Sequence, residues 1–154
     1  MASGESPDLR NEVLLINGTS VTTLSNIGLP WNLRGIWFAT SHFYYVVGDG
    51  IYTATSPNPA RWSGETEILT PYTTTCVRGN GANDVFIAGS FGEVLHYNGS
   101  TWQSFRSQTA IPDGAFSRLA VKGNLVIAVG GASGQAIAVV GKRSAKEVIS
   151  ISNK

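Results

Sequence analysis

The chain is poor in the residues that most enzymes and metalloproteins depend on. It has one cysteine and two histidines in 154 residues, only 14% of its residues are charged, and no run of like charges is longer than the pair Lys142-Arg143. A lone Cys76 excludes an intrachain disulfide, so cysteine pairing says nothing of the compartment. Within TTTCVRG, Cys76 reads as a small buried hydrophobe. A catalytic thiolate would need a base, and no motif ties His42 or His96 to it. The histidines are not spaced as metal ligands and no Cys/His/carboxylate cluster accompanies them, so neither a metal nor another cofactor is expected. A formal net charge of +1 lacks the long-range attraction that binding to nucleic acid or an anionic membrane needs. MASGESPDLR has no apolar core and is not a signal peptide. The compartment stays open, a secreted or periplasmic parent included. Residues 123–141 carry no charge over 19 positions, about the length of a membrane span. Gly130, Gly131, Ser133, Gly134 and Gln135 sit at their middle, however, which predicts two strands and a turn, not membrane insertion.

What the chain does have is β-forming residues at regular intervals. With 42% hydrophobic residues it can bury the core of one domain. The runs YYVVG, VFIAG and VIAVG end on Gly48, Gly89 and Gly130, each 41 residues after the last. That period belongs to repeat architectures, and four short strands per unit match propeller blades. The predicted units are 33–69 (strands 33–38, 43–48, 51–54 and 61–69), 74–106 (74–79, 84–89, 93–98 and 101–106) and 116–151 (116–121, 125–130, 135–140 and 146–151). Upstream, EVLLINGTSVTTL from Glu12 matches EVLHYNGSTWQSF from Glu93 at an offset of 81, so 12–24 is the outer half of a further blade. Residues 1–11 form a loose lead-in. No stretch holds helical periodicity over ten or more residues.

The strands are apolar at consecutive positions (FYYVV, LVIAV, AIAVV), so both faces of each sheet are expected to be covered. Trp62 and Trp102 hold similar places on outer strands, where rings can fill the wide gap between blades. The fold class is therefore all-β, built of four-stranded antiparallel blades, about three and a half of them. A β-sandwich with coincidental spacing is the alternative. Closed propellers have four to eight blades. The expectation is thus a segment of a larger propeller, or a chain that associates with other copies or with a protein partner through its unclosed blade faces.

NDVFIAGSFGEVLHYNGSTW resembles the repeat of bacterial β-propellers related to photosystem II assembly factors and to sialidase-type Asp-box propellers. Their blades read D-V-[WF]-A-V-G-x-x-G-x-[IV]-x-[HR]-[YS]-D-G-x-x-W. The likeness is close over 83–102 and loose over most of 12–151. It departs at the turn, where Asn98 replaces the usual Asp and the Ser-x-Asp-x-Gly spacing is missing. The resemblance implies a non-enzymatic binding or assembly scaffold, with a carbohydrate-binding or sialidase-like glycosidase as the alternative.

Sialidase chemistry would need an arginine cluster on the substrate carboxylate. Arg34, Arg78 and Arg118 each fall on the first strand of a unit, where they could converge on an axial channel and take an anionic ligand. Their phases within the repeat differ, which favours salt bridges to Asp84 or Glu93, or loop anchoring. Asp49 and Asp84, beside turns, read as caps of backbone N–H groups and not as catalytic carboxylates, and no catalytic residue is assigned. Among the aromatics, Trp31, Tyr44, Tyr45, Tyr72 and Phe91 are the candidate anchors for a partner, most of them also candidates for the core. His96 should face a neighbouring blade or solvent. The sequons at Asn17 and Asn98 share one repeat phase, which favours type I′ Asn-Gly hairpin turns over glycosylation. GQAIAVVGKRS lacks the phosphate-loop spacing, and GGASG lacks the dinucleotide fingerprint.

Overall fold

A computed structural model describes residues 13–29, 32–40, 42–65 and 69–143. The protein is all-β, in four antiparallel sheets. An N-terminal hairpin pairs β1 (Val13–Asn17) with β2 (Ser20–Leu24). Sheet I runs β3 (Leu33–Thr40), β4 (Phe43–Gly48), β5 (Gly50–Ala54) and β6 (Ser63–Gly64). Sheet II runs β7 (Thr74–Gly81), β8 (Asp84–Gly89), β9 (Val94–Tyr97) and β10 (Trp102–Ser104). Sheet III holds β11 (Gly114–Lys122), β12 (Leu125–Ala132) and β13 (Gln135–Lys142). Each sheet is a meander, so every strand pairs with its sequence neighbour. The predicted strand at 146–151 lies outside the described residues.

The glycine period is a real structural repeat. Gly48, Gly89 and Gly130 pair with Leu33, Thr74 and Phe116, and a β-bulge follows each of those partners. A Cβ on any of the three glycines would run into a backbone carbonyl at the start of the first strand: Asn32 O, Thr73 O and Ala115 O in turn. Only glycine lets the second strand approach so closely. The first strands are neighbours, β3 lying against β7 and β7 against β11. Thr74 ties sheets I and II: its hydroxyl donates to Gly48 O (3.0 Å) and accepts from Gly48 N (3.1 Å). Thr75 ties sheets II and III by donating to Phe116 O (2.5 Å).

The sheets stack face to face. Tyr45, Val47 and Ile51 of sheet I pack on Val77, Val85, Ile87 and Leu95 of sheet II. The other side of sheet II, with Cys76, Phe86, Ala88 and Val94, packs on Phe116, Leu119 and Ala128 of sheet III. Sheet II is thus covered on both faces, which is why its strands lack alternation. Trp62 is buried with Val46 and Ala54 on the far side of sheet I, and its indole N–H donates to Ser25 O (3.2 Å). Trp102 packs against Tyr97 and meets Tyr45 edge-on across the gap between sheets I and II (centroids 6.3 Å apart). Trp102 thus fills the gap between two sheets as expected, whereas Trp62 lies just before β6 and not on a strand.

Two outer strands and the Asn-Gly turns depart from expectation, while residues 123–141 agree with it. The strand expected at 61–69 is only Ser63–Gly64 among the described residues, and that expected at 101–106 shortens to Trp102–Ser104, with a single helical turn, α1 (Arg106–Thr109), after it. Residues 123–141 are two strands; among the described residues no helix is long and apolar enough to cross a membrane. The two Asn-Gly turns are not type I′. Only the glycine takes positive φ (Gly18 +59°, Gly99 +96°), the pattern of a type II′ turn. At the second turn Asn98 instead accepts from the backbone N–H groups of Ser100 and Thr101, both at 2.9 Å.

Candidate functional site

The stacked sheets splay outward and leave two wedges. The wedge between sheets I and II, about 500 Å³, is walled by aromatics, among them Phe43, Tyr45, Tyr97 and Trp102. Burial, helped by Tyr97 and Glu65 nearby, pushes the Tyr45 phenol up, so it stays neutral. The wedge between sheets II and III is smaller, about 310 Å³, and apolar, with Phe86, Val94 and Phe105 on one wall and Val126, Ala128 and Val139 on the other. The repeat explains why a pocket opens against sheet III. Ala128 stands where sheet II has Ile87, and Gly141, paired with Val126, stands where sheet II has Tyr97, paired with Val85. Two bulky side chains are replaced by a methyl and a hydrogen, and the wall recedes.

One end of this pocket is closed by a polar clamp. Asp84, at the start of β8, accepts from His96 Nε2 (2.9 Å) and Asn80 Nδ2 (2.5 Å), and forms an ion pair with Arg143, which follows β13. Asn80 reaches sheet III directly, donating to Gly123 O (2.8 Å) and accepting from Gly123 N (2.9 Å). The His96 ring stacks on Phe86 with centroids 4.2 Å apart. His96 thus faces the neighbouring sheet, as expected. Asp84 does not cap a backbone N–H; its partners are side chains. Burial alone would raise the Asp84 carboxyl, but the hydrogen bonds from Asn80, Arg143 and His96 outweigh it and hold it below the ordinary aspartate range.

A folded-state value below the unfolded one stabilises the protein above about pH 4 and is lost as pH falls through the depressed value. Asp84→Asn is therefore expected to lower stability at neutral pH and to flatten the acid limb of a urea-midpoint-versus-pH curve. An unchanged acid limb would show that the clamp contributes nothing.

The three arginines weighed for an axial channel lie on the first strands and are exposed, at the three inequivalent positions that their differing phases implied. Arg34 sits in the bulge of β3, Arg78 pairs with Phe86, and Arg118 pairs with Val129. None of the three bridges Asp84 or Glu93. Arg78 and Arg118 each donate to the preceding carbonyl, Val77 O (2.6 Å) and Ser117 O (2.7 Å). Asp84 takes Arg143 instead, while buried Glu93 accepts from the hydroxyls of Thr70 and Ser104, both at 2.7 Å. Arg78 and Arg118 do share a neighbourhood, since both bear on the Cys76 thiol. Burial prevails there and raises the thiol above its ordinary value, which suits an inert core cysteine.

Tyr72 and Phe91, two of the aromatic candidates, come together with centroids 5.1 Å apart, and the Arg106 guanidinium lies 4.5 Å from the Tyr72 ring centre. Phe91 is exposed and holds φ +56°, costly for an aromatic residue. Backbone bonds on both sides keep it there, from Phe91 N to Gly114 O (2.7 Å) and from Ile111 N to Phe91 O (3.1 Å). Trp31 lies outside the described residues. Tyr45 is core, and Tyr44 is half-buried beside Phe38.

No protein-family model and no curated protein matches the chain. The reading therefore rests on geometry. Among the described residues no group of three His, Cys, Asp or Glu side chains could hold a metal ion.

Proposed function

We propose that the chain is a non-enzymatic binding or assembly scaffold whose sheets are blades of a β-propeller, working as part of a larger ring. The observation that carries this is the shared geometry of Gly48, Gly89 and Gly130 in three sheets whose first strands lie side by side. Such strands would line an axis, and the outer strands would splay away from it, as the two wedges do. Apolar side chains left exposed at the ends of the stack, among them Ile36 and Phe38 on sheet I and Val140 on sheet III, supply the surface for a protein partner or another copy. Half-buried Tyr72 and exposed Phe91 add an aromatic anchor.

Sugar cleavage draws no support from the site. Asp84 is held by three partners, Glu93 is buried under two hydroxyls, and the arginines are spread over different strand positions. Sedimentation velocity over a wide concentration range is the test. Species heavier than the monomer, forming as concentration rises, are expected. A monomer at every concentration that binds no hydrophobic dye, or turnover of a fluorogenic sialoside, would overturn the proposal.

A further inference from the structure

The N-terminal hairpin matches the outer half of sheet II pair for pair. Ile16↔Val21, Leu15↔Thr22 and Leu14↔Thr23 correspond, at an offset of 81, to Tyr97↔Trp102, His96↔Gln103 and Leu95↔Ser104. In sheet II, Leu95, Tyr97 and Trp102 face sheet I and pack on it. Their counterparts Leu14, Ile16 and Val21 are 50%, 71% and 61% exposed. The hairpin presents a face built to cover the outer side of a preceding sheet, and that face is in water.

Sheet III presents the complement. Across its three strands the residues opposite one another are Lys122, Leu125 and Lys142; then Ala120, Ile127 and Val140; then Arg118, Val129 and Ala138. Ile127 and Val129 are the repeat counterparts of Tyr45 and Val47, which sheet II buries, and of Phe86 and Ala88, which sheet III buries. This face continues the stacking surface already used twice within the chain, yet Val140 is 65% exposed. Three cations rim it, and residues 13–24 of the hairpin carry no charge that would oppose them.

We infer that the β1–β2 hairpin of a second copy packs on the outer face of sheet III, joining copies head to tail. This deepens the scaffold reading and rests on it. The contact is heterologous, so it propagates into a ring or a chain of copies. Val21 of one copy lies over Ile127 of the next, as Trp102 lies over Tyr45.

The test mixes a Val21→Cys protein with an Ile127→Cys protein under mild oxidation; Cys76 is buried and stays out of the reaction. A disulfide-linked heterodimer is expected, at least about tenfold more abundant than from a control mixture of Asp113→Cys and Ile127→Cys. In sedimentation, Ile16→Lys should weaken association by about a hundredfold, because a charge removed from water without a partner is strongly unfavourable. Ile16→Glu, facing Arg118, Lys122 and Lys142, should lose less. Wild-type protein that never associates would overturn this inference, and would sink the scaffold reading as well if it also binds no hydrophobic dye. Wild-type protein that associates while the heterodimer does not exceed the control, or while Ile16→Lys is without effect, would leave that reading standing and overturn this one.

Discussion

Gly89→Ala is expected to destabilise the protein by about 3 kcal/mol, at the upper end of what overpacking costs, because the obstacle is main chain and not a side chain that can turn away. The new methyl would overlap Thr73 O and lie 2.9 Å from the Thr74 Cα. Neither atom is free to yield. Thr73 O accepts from Ser90 N (3.0 Å), and the Thr74 hydroxyl is bonded to both backbone groups of Gly48 in the next sheet. A shift at Gly89 would therefore break the tie between sheets I and II as well as the local pairing. For a chain of this size the loss corresponds to roughly 10 °C in Tm. The control is Gly134→Ala, where a methyl meets nothing within 4 Å and only the positive φ of +78° opposes it; that variant should lose about 1 kcal/mol. Urea denaturation of the two variants would decide. Equal losses would mean that the close approach at Gly89 is not what the repeat is built on.

That contrast explains how much was legible beforehand. The three glycines are readable because a steric requirement imposed on one residue leaves a mark at one position, and a repeat prints the mark three times. The equivalence of the N-terminal hairpin with β9 and β10 is readable for the same reason, since register follows from a shared turn. The candidate site is harder to see. Asp84, His96 and Arg143 are brought together from two sheets, and their separations of 12 and 59 residues belong to no motif. The pocket beside them comes from what Ala128 and Gly141 lack relative to Ile87 and Tyr97, a difference that shows only once strand pairing assigns the counterparts. Phe91 was legible as an exposed aromatic, but its left-handed backbone was not, because Gly92 beside it is the residue a turn would be expected to place there.

Phe116→Ala should cost about 4 kcal/mol, the range for deleting a fully buried aromatic. Phe116 is completely buried in the core between sheets II and III, packed among Cys76, Phe86, Ala88 and Leu119. It pairs with Gly130, whose missing Cβ leaves the room that the Phe116 backbone occupies. The cavity could not collapse easily, because the Phe116 carbonyl is pinned by the Thr75 hydroxyl at 2.5 Å and the strand is already bulged there. Phe116→Leu, which keeps most of the volume, should lose about 1 kcal/mol. The location of the damage is as informative as its size. Sheet I meets sheet II through a separate core around Val47, Val77 and Ile87, so amide exchange in Phe116→Ala should speed up first in β11, β12 and β13 while β4 and β8 stay protected. Uniform acceleration across all three sheets would mean that they unfold as one unit and that the stack is not a series of separable interfaces.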